Sequence, residues 1–217
     1  MIGPDAAELR VLGCLIEKQR TTPDAYPLSL NGLRLAANQA TGREPVVDYD
    51  EEELREAIAR LVRRGWARLA SGPGSRAAKY RHLLDDALGL GDPQLALLAV
   101  LMLRGPQTPG ELRQRSERLH DFPTVESLEG VLDELEARHH VVRFERRPGQ
   151  KEARWGLAGV FASGDEPIVE APPPAPYVPA AVDEGPRRPG VEARVEALES
   201  ELRELRAVVA QLRELLE

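Results

Sequence analysis

A basic hairpin signature occurs twice in this chain. The first copy, PGSRAAKYR, covers residues 73–81, and the second, PGQKEARWG, covers residues 148–156. In each copy a Pro-Gly turn is followed by alternating residues. Tyr80 and Trp155 therefore fall on one face of a strand, and Lys79 and Arg154 fall on the other. Because matching helical patterns precede both copies, the repeated unit is a whole block that the fold must contain twice.

The first block has the pattern of three helices followed by the hairpin. Asp5, Ser29 and Asp50 are helix-capping residues, and each precedes apolar residues at helical spacing. The first helix is predicted to run to about Lys18, and Gly65 ends the third. The segments WARLA and RAAKYRHL then alternate in polarity and are predicted to be two strands.

The second block repeats this order. Helices are predicted to start at Asp92, Thr108 and Thr124, and the strands HVVRFE and KEARWGL flank the turn RRPGQ. Three helices with an appended two-stranded hairpin are typical of the winged helix, a variant of the helix-turn-helix. The sequence therefore predicts a mainly α chain with small β-hairpins (α+β), with winged-helix domains at residues 1–86 and 87–160.

The remaining residues have a different composition. Residues 161–190 are rich in proline and acid, which predicts a linker, and residues 191–217 carry an apolar heptad repeat, which predicts a coiled-coil helix. The candidate dimer contacts are Val195, Leu198, Leu202, Leu205, Val209, Leu212 and Leu216. This helix is expected to form a homodimer as a parallel two-stranded coil. Docking of a single helix on its own domains is the alternative.

Three stretches are similar to the YceH-like family of bacterial proteins. They are VLGCLIEKQRTTPDAYPLSLNGLRLAANQ, GSRAAKYRH and LRGPQTPGELRQRSERLHDF, at residues 11–39, 74–82 and 103–122. The resemblance is collinear over residues 5–157. It implies tandem winged helices in a cytosolic bacterial protein, and it implies little about activity.

Composition indicates the cytoplasm. The chain has one cysteine, so it can form no intrachain disulfide, and its first residues lack the pattern of a signal peptide. The longest apolar run, LALLAVLML, has nine residues and is too short to cross a bilayer. We therefore expect a cytoplasmic protein that does not contact a membrane.

The net charge of −7 is concentrated after the two blocks. Residues 5–84 carry a net charge of +2, residues 92–157 carry −1 and residues 158–217 carry −6. A strong, non-specific nucleic-acid binder should be basic over a whole face. The near-neutral body does not have the composition of such a binder.

The predicted hairpins are basic, whereas the third helices are acidic. Glu52, Glu53 and Glu56 occupy the positions from which a winged helix would read bases in the first block, and Glu126, Ser127 and Gly130 occupy them in the second. Glutamate is mostly repelled beside phosphates, so strong base readout is not expected. The candidate DNA contacts are the basic residues on and near the wings: Arg63, Arg64, Arg76, Lys79, Arg81, Arg146, Arg147, Lys151 and Arg154.

Two functions fit this distribution of charge. The first is a regulatory binding protein that contacts DNA through its basic wings. The alternative is a protein–protein interaction scaffold in which the acidic third helices meet a basic partner. Asn31, Asn38 and Gln39 form a candidate partner-binding surface on the second helix, although residues of these types also cap helix ends.

The sequence contains no recognisable catalytic motif. A phosphate-binding loop, a nucleophile elbow and a His-Glu zinc helix are all absent. Cys14 lies near an apolar stripe and is expected to be buried and inert, and His139 and His140 lack further ligands at metal-binding spacing. We therefore expect a protein that is not an enzyme and holds no cofactor or metal. A small ligand between the two domains remains an open alternative.

Overall fold

Seven helices and five short strands form the regular structure of the residues that the computed structural model describes, 3–71, 77–146 and 152–162. The elements of the first block are α1 (Ala6–Thr21), β1 (Leu28–Ser29), α2 (Leu30–Ala37), α3 (Glu51–Arg63), β2 (Ala67–Leu69) and β3 (Lys79–His82). A 3₁₀ turn, Pro23–Ala25, lies between α1 and β1.

The second block has the same order of helices and hairpin. Its elements are α4 (Leu84–Leu88), which leads into it, then α5 (Asp92–Arg104), α6 (Pro109–Ser116), α7 (Val125–Ala137), β4 (Val141–Arg143), β5 (Trp155–Leu157) and a 3₁₀ turn (Gly159–Phe161).

The prediction of a mainly helical α+β chain with small antiparallel sheets is confirmed. None of the described helices is long and apolar enough to span a membrane. The predicted linker beyond Ala162 and the predicted coiled-coil helix, with all its candidate dimer contacts, lie outside the described residues.

The helices start at the capping residues that the sequence contains. The backbone N–H of Glu8 donates to Asp5 Oδ1 at 2.8 Å, and the Glu8 carboxylate accepts from the backbone N–H of Asp5 at 3.1 Å. Equivalent capping boxes begin α3 at Asp50 and α6 at Thr108. These caps pair N–H groups that a helix start otherwise leaves without partners. Helix α1 is longer than predicted, since it runs to Thr21.

Each hairpin is hydrogen-bonded to the residues that precede the second helix of its own block. The first sheet has the strand order β1-β3-β2, with Leu28 opposite Tyr80. In the second block β4 pairs with β5, and Trp155 exchanges backbone hydrogen bonds of 2.7 and 2.9 Å with Gln107. Tyr80 and Trp155 pack on the hydrophobic core, which agrees with the predicted alternation.

The first helices of the two blocks, α1 and α5, pack against each other. Buried residues of both helices belong to one hydrophobic cluster. Gly13 lies at this contact, where a Cβ atom would be 2.9 Å from Leu103 Cγ and 3.1 Å from Met102 Cβ. The absence of a side chain at Gly13 therefore lets the two helices approach closely.

Phe161 connects the ends of the two third helices. Trp66 follows α3 and His140 follows α7, and each donates its backbone N–H to the leucine carbonyl five residues earlier, at 3.0 and 2.9 Å. The Phe161 ring packs against both, with centroid distances of 5.4 Å to Trp66 and 5.5 Å to His140. Because Phe161 is only 1% exposed, the core includes a residue just beyond the position 160 at which the second domain was predicted to end.

Candidate functional site

The first hairpin carries basic side chains on one face. Arg68 of β2 lies directly opposite Arg81 of β3, so both side chains project from the same face of the sheet, and Lys79 shares that face. Arg68 and Lys79 are exposed, and Arg81 is half-buried. Within the described ranges none of the three has an ion-pair partner. Two predicted DNA contacts, Lys79 and Arg81, therefore lie on the same face as Arg68. The predicted contact Arg76 lies outside the described residues.

The second hairpin uses its arginines differently. Arg154 Nη1 donates to the Pro106 carbonyl at 2.9 Å and lies 3.4 Å from Glu111 Oε2, so its charge is compensated. The Arg143 guanidinium lies 5.9 Å from the centre of the Trp155 ring. Arg146 is exposed and lines a cleft of about 370 Å³ between this hairpin and the starts of α6 and α7. The predicted contacts Arg147 and Lys151 lie outside the described residues.

The two predicted contacts at the end of α3 have different environments. Arg63 is exposed. Arg64 instead contacts Glu8, with Nε 2.9 Å from Oε1, and Glu8 is only 2% exposed. Arg64 Nη2 also donates to the Gly3 carbonyl at 2.9 Å. Arg60 joins the same cluster, with its Nη2 2.6 Å from Asp5 Oδ2. Arg60 and Arg64 therefore hold the end of α3 against the start of α1.

The starts of α3 and α7 present carboxylates to solvent. Glu52 and Glu53 are exposed, and Glu52 pairs with Arg55 one turn later. Hydrogen bonds from its own backbone N–H and from the Thr124 hydroxyl lower the pKa of the exposed Glu126 carboxyl. Negative charge at these positions is stabilised by the helix dipole, so the third helices are acidic on the surface predicted to read bases.

Two of the three predicted partner-binding residues hold a loop in place. Asn38 Nδ2 donates to the Tyr49 carbonyl at 2.8 Å, and the Tyr49 backbone N–H donates to Asn38 Oδ1 at 3.0 Å. Gln39 Oε1 accepts from Arg43 Nη2 at 2.9 Å. Only Asn31 is exposed among the three. The loop between α2 and α3 is therefore closed by the same amide side chains that were predicted to contact a partner.

Two buried arginines, which the sequence analysis did not identify, fix this loop to α1. Arg10 donates to the Ala37 carbonyl at 2.9 Å and to the Pro45 carbonyl at 2.7 Å. Arg43 is 6% exposed and lies 2.6 Å from Glu17 Oε2. Burial alone would raise the pKa of Glu17, but the hydrogen bond and charge of Arg43 lower it. Both arginines therefore stay charged inside the protein because carbonyls and a carboxylate surround them.

A cleft of about 560 Å³ opens at the base of the first hairpin, next to the buried His82. The residues that line it are Gln19, Tyr26, Pro27, Arg68, Leu69, Ala70, Ser71 and Arg81. Burial lowers the pKa of His82 to about 4, so the imidazole is neutral at pH 7. Burial also raises the pKa of the Tyr26 hydroxyl to about 12. The described lining of the cleft therefore combines two arginines and neutral polar groups with the apolar residues Pro27, Leu69 and Ala70.

Two further candidates for nucleophilic or metal-binding chemistry, Cys14 and His140, are buried, whereas His139 is exposed. Cys14 is fully buried, and burial raises the pKa of its thiol to about 11, so the thiolate is scarce at neutral pH. His140 packs edge-on against Phe161, and burial lowers its pKa. In the described ranges no group of three or more His, Cys, Asp or Glu side chains could hold a metal ion.

The described residues thus define a mainly helical α+β protein in which one helix–hairpin block occurs twice around a shared hydrophobic cluster. The chain belongs to the family described as "Protein of unknown function, DUF480", whose model matches residues 5–150. The resemblance to the YceH-like family is therefore confirmed.

Similar proteins occur in several bacteria. A UPF0502 protein of Geotalea daltonii is 50% identical over 169 residues, which cover 77% of this chain and 76% of the relative. A UPF0502 protein of Citrobacter koseri is 41% identical over 210 residues, 93% of this chain and 92% of the relative. The UPF0502 protein YceH of Salmonella paratyphi C is 41% identical over 208 residues, with the same coverage of 93% and 92%.

Proposed function

We propose that this chain is a non-catalytic, cytoplasmic regulatory protein with two tandem winged helices, and that it contacts the DNA backbone through its hairpins without strong sequence readout. The order of elements supports the winged helix. In each block three helices precede an antiparallel hairpin, and the residues before the second helix pair with that hairpin. Winged helices are variants of the helix-turn-helix, which binds DNA with its last helix in the major groove.

The observation that carries the proposal is the basic face of the first hairpin. Arg68, Lys79 and Arg81 share this face, and none has an ion-pair partner among the residues described. Side chains of this kind contact phosphates, which give affinity without sequence information. The compensated Arg64 and Arg154 contribute less, because each is already paired with a carboxylate or a carbonyl.

Weak base readout follows from the charge of the third helices. The exposed Glu52 and Glu53 at the start of α3 would face phosphates if this helix entered a major groove. A bound duplex is therefore expected to contact the hairpins more closely than the third helices. The resulting affinity depends on salt and little on DNA sequence.

The test is fluorescence anisotropy of a labelled duplex titrated with the full chain at several salt concentrations. We expect micromolar binding, with log affinity falling against log salt at a slope of about −3 to −4. Lys79→Ala combined with Arg63→Ala should reduce that slope by about 2. The matched control is Arg34→Ala combined with Arg118→Ala, two exposed arginines that do not belong to the hairpins, which should leave the slope unchanged. No duplex binding at low salt would refute the proposal.

A second candidate function is a protein–protein interaction scaffold. It is favoured by the exposed carboxylates of α3 and by two exposed apolar side chains, Leu35 in α2 at 62% and Val46 in the loop between α2 and α3 at 59%. A basic protein partner would bind the wild-type chain and would be lost in Glu52→Gln combined with Glu56→Gln. If that variant retained the partner, the acidic helix would not be the contact surface.

A further inference from the structure

The cleft at the base of the first hairpin is lined by hydrogen-bond donors. Arg68 and Arg81 project from adjacent strands, Gln19 lies near the end of α1, and Tyr26 lies just before β1. Two like charges directly opposite each other on antiparallel strands destabilise a sheet unless something compensates them. Arg81 Nε donates only to the His82 carbonyl, at 3.4 Å, and Arg68 has no ion-pair partner in the described part of the chain.

His82 determines which atoms of Gln19 and Tyr26 remain for a ligand. The His82 Nδ1 accepts the backbone N–H of Leu84 at 3.3 Å, so the ring proton is on Nε2, which donates to Gln19 Oε1. The His82 backbone N–H donates to the Tyr26 hydroxyl oxygen at 2.9 Å. With their oxygens accepting from His82, the amide N–H groups of Gln19 and the O–H of Tyr26 remain to donate into the cleft.

The carboxylate nearest to His82 is on the other side of the imidazole. Asp85 Oδ1 lies 3.6 Å from His82 Nδ1, whereas Gln19 contacts Nε2. No carboxylate is among the described residues that line the cleft. Two guanidinium groups, an amide and a phenol therefore line a space to which the described residues contribute no side-chain anion.

We infer that this cleft binds a phosphate group, held by the guanidinium groups of Arg68 and Arg81 and by the donors of Gln19 and Tyr26. Guanidinium groups donate in pairs to phosphate oxygens, and a phosphate has enough oxygens to accept from all four side chains. The cleft volume of about 560 Å³ exceeds that of one phosphate. The group is therefore part of a larger molecule, either a DNA strand or a small phosphorylated compound. The inference stands whether or not the chain binds DNA.

The test is a two-dimensional ¹H–¹⁵N NMR titration of the full chain with inorganic phosphate at constant ionic strength, with sulfate-free buffer and chloride as the reference anion. We expect the amide signals of Gln19, Tyr26, Arg68 and Arg81 to shift together. Arg68→Gln combined with Arg81→Gln should weaken phosphate binding at least about tenfold, since each lost charge-assisted contact accounts for several-fold. This variant should fold, because it removes a like-charge pair.

The matched control is Arg34→Gln combined with Arg118→Gln, which makes the same change in net charge at exposed sites outside the cleft. It should change phosphate affinity less than about twofold, because exposed, distant charges are screened. Equal weakening by both double variants, or phosphate-induced shifts that avoid the cleft residues, would overturn the inference. Tyr26→Phe should weaken binding as well, while a variant at Tyr49, outside the cleft, should not.

Two further titrations identify the source of the phosphate. If the phosphate belongs to DNA, a duplex moves the same amide signals and inorganic phosphate competes with it. If it belongs to a small molecule, adenosine monophosphate moves these signals and duplex binding is unaffected by it. Phosphate binding in the cleft without any duplex binding would refute the proposed function and support the inference. Duplex binding without phosphate binding in the cleft would refute the inference and support the proposed function.

Discussion

Glu8 and Arg64 form an ion pair across 56 positions of the chain, with Arg64 Nε 2.9 Å from Glu8 Oε1. Glu8 is almost fully buried, and it also completes the cap of its own helix. The same carboxylate therefore starts α1 and holds the end of α3. Arg60 lies beside it, with Nε 3.3 Å from Glu8 Oε2.

Glu8→Gln is expected to lower the free energy of unfolding by about 2–4 kcal/mol, because two arginines lose their shared carboxylate. Urea denaturation followed by circular dichroism measures this. The control is Glu56→Gln, an exposed carboxylate of α3 that lies 3.5 Å from Arg60 Nη1. Since exposed pairs contribute little, this control should cost less than about 1 kcal/mol. If both substitutions lowered the free energy of unfolding equally, burial of Glu8 would not strengthen its ion pairs.

Replacement by alanine should change the stability of the protein in opposite directions at two helical glycines. Gly13→Ala places a Cβ 2.9 Å from Leu103 Cγ at the α1–α5 contact, and it should destabilise the protein by about 1–3 kcal/mol. Gly130→Ala in α7 meets no atom within 4 Å and should stabilise it by about 0.5–1 kcal/mol. Thermal unfolding of the two variants gives the comparison. A stabilised Gly13→Ala would mean that α1 and α5 can separate without cost.

Removing the Phe161 ring should destabilise both blocks. Phe161→Ala leaves a cavity between Trp66 and His140, and a loss of about 3–5 kcal/mol is expected. Val160→Ala is the neighbouring control, because Val160 is 45% exposed and should change stability by less than about 0.5 kcal/mol. The observation to make is urea unfolding with tryptophan fluorescence, since Trp66 and Trp155 report one block each. If Phe161→Ala matched Val160→Ala, the shared aromatic contact would have no role in stability.

The free energy of unfolding should decrease as the pH falls from 6.5 to 4, because His82 titrates in this range. Burial holds its pKa near 4 in the folded protein, whereas an unfolded histidine titrates near 6.5. The unfolded chain therefore binds the extra proton first as pH falls below 6.5. The free energy of unfolding contributed by neutral His82 is present above pH 6.5 and is lost progressively down to pH 4, by up to about 3 kcal/mol.

His82→Gln should make the stability less dependent on pH between 6.5 and 4 than that of the wild type. The same urea midpoints measured for His139→Gln serve as the control, because His139 is exposed. Its pH dependence should match the wild type. An unchanged slope in His82→Gln would show that another group causes the acid sensitivity.

The parts of the fold that follow local rules could be predicted from the sequence. Caps at Asp5, Ser29 and Thr108 accept backbone N–H groups within three residues, so the pattern alone contains the information. Helix α4 was not predicted, because the five residues Leu84–Leu88 are too few to show a helical period. The same limitation applies to the two-residue strand β1, which is defined by its pairing with β3.

The candidate site was predictable only in part, because its properties arise from distant contacts. The basic character of Lys79 and Arg81 could be read directly from the sequence, but the pairing of Arg64 with Glu8 could not. Buried arginines such as Arg10 are rare, so no sequence rule separates them from exposed ones. The role of His82 depends on Gln19, which is 63 residues earlier in the chain.

The position of Phe161 has a consequence for the order of events during synthesis. Phe161 covers the ring of Trp66 but is translated 95 residues after it. At about 5–20 residues per second, a ribosome needs roughly 5–20 s to make that interval. During this time the surface of Trp66 that Phe161 will cover is open to solvent and to chaperones. The first block therefore reaches its final packing only after the second block has been synthesised. The contact of Phe161 with Trp66 is among the last to form on the nascent chain.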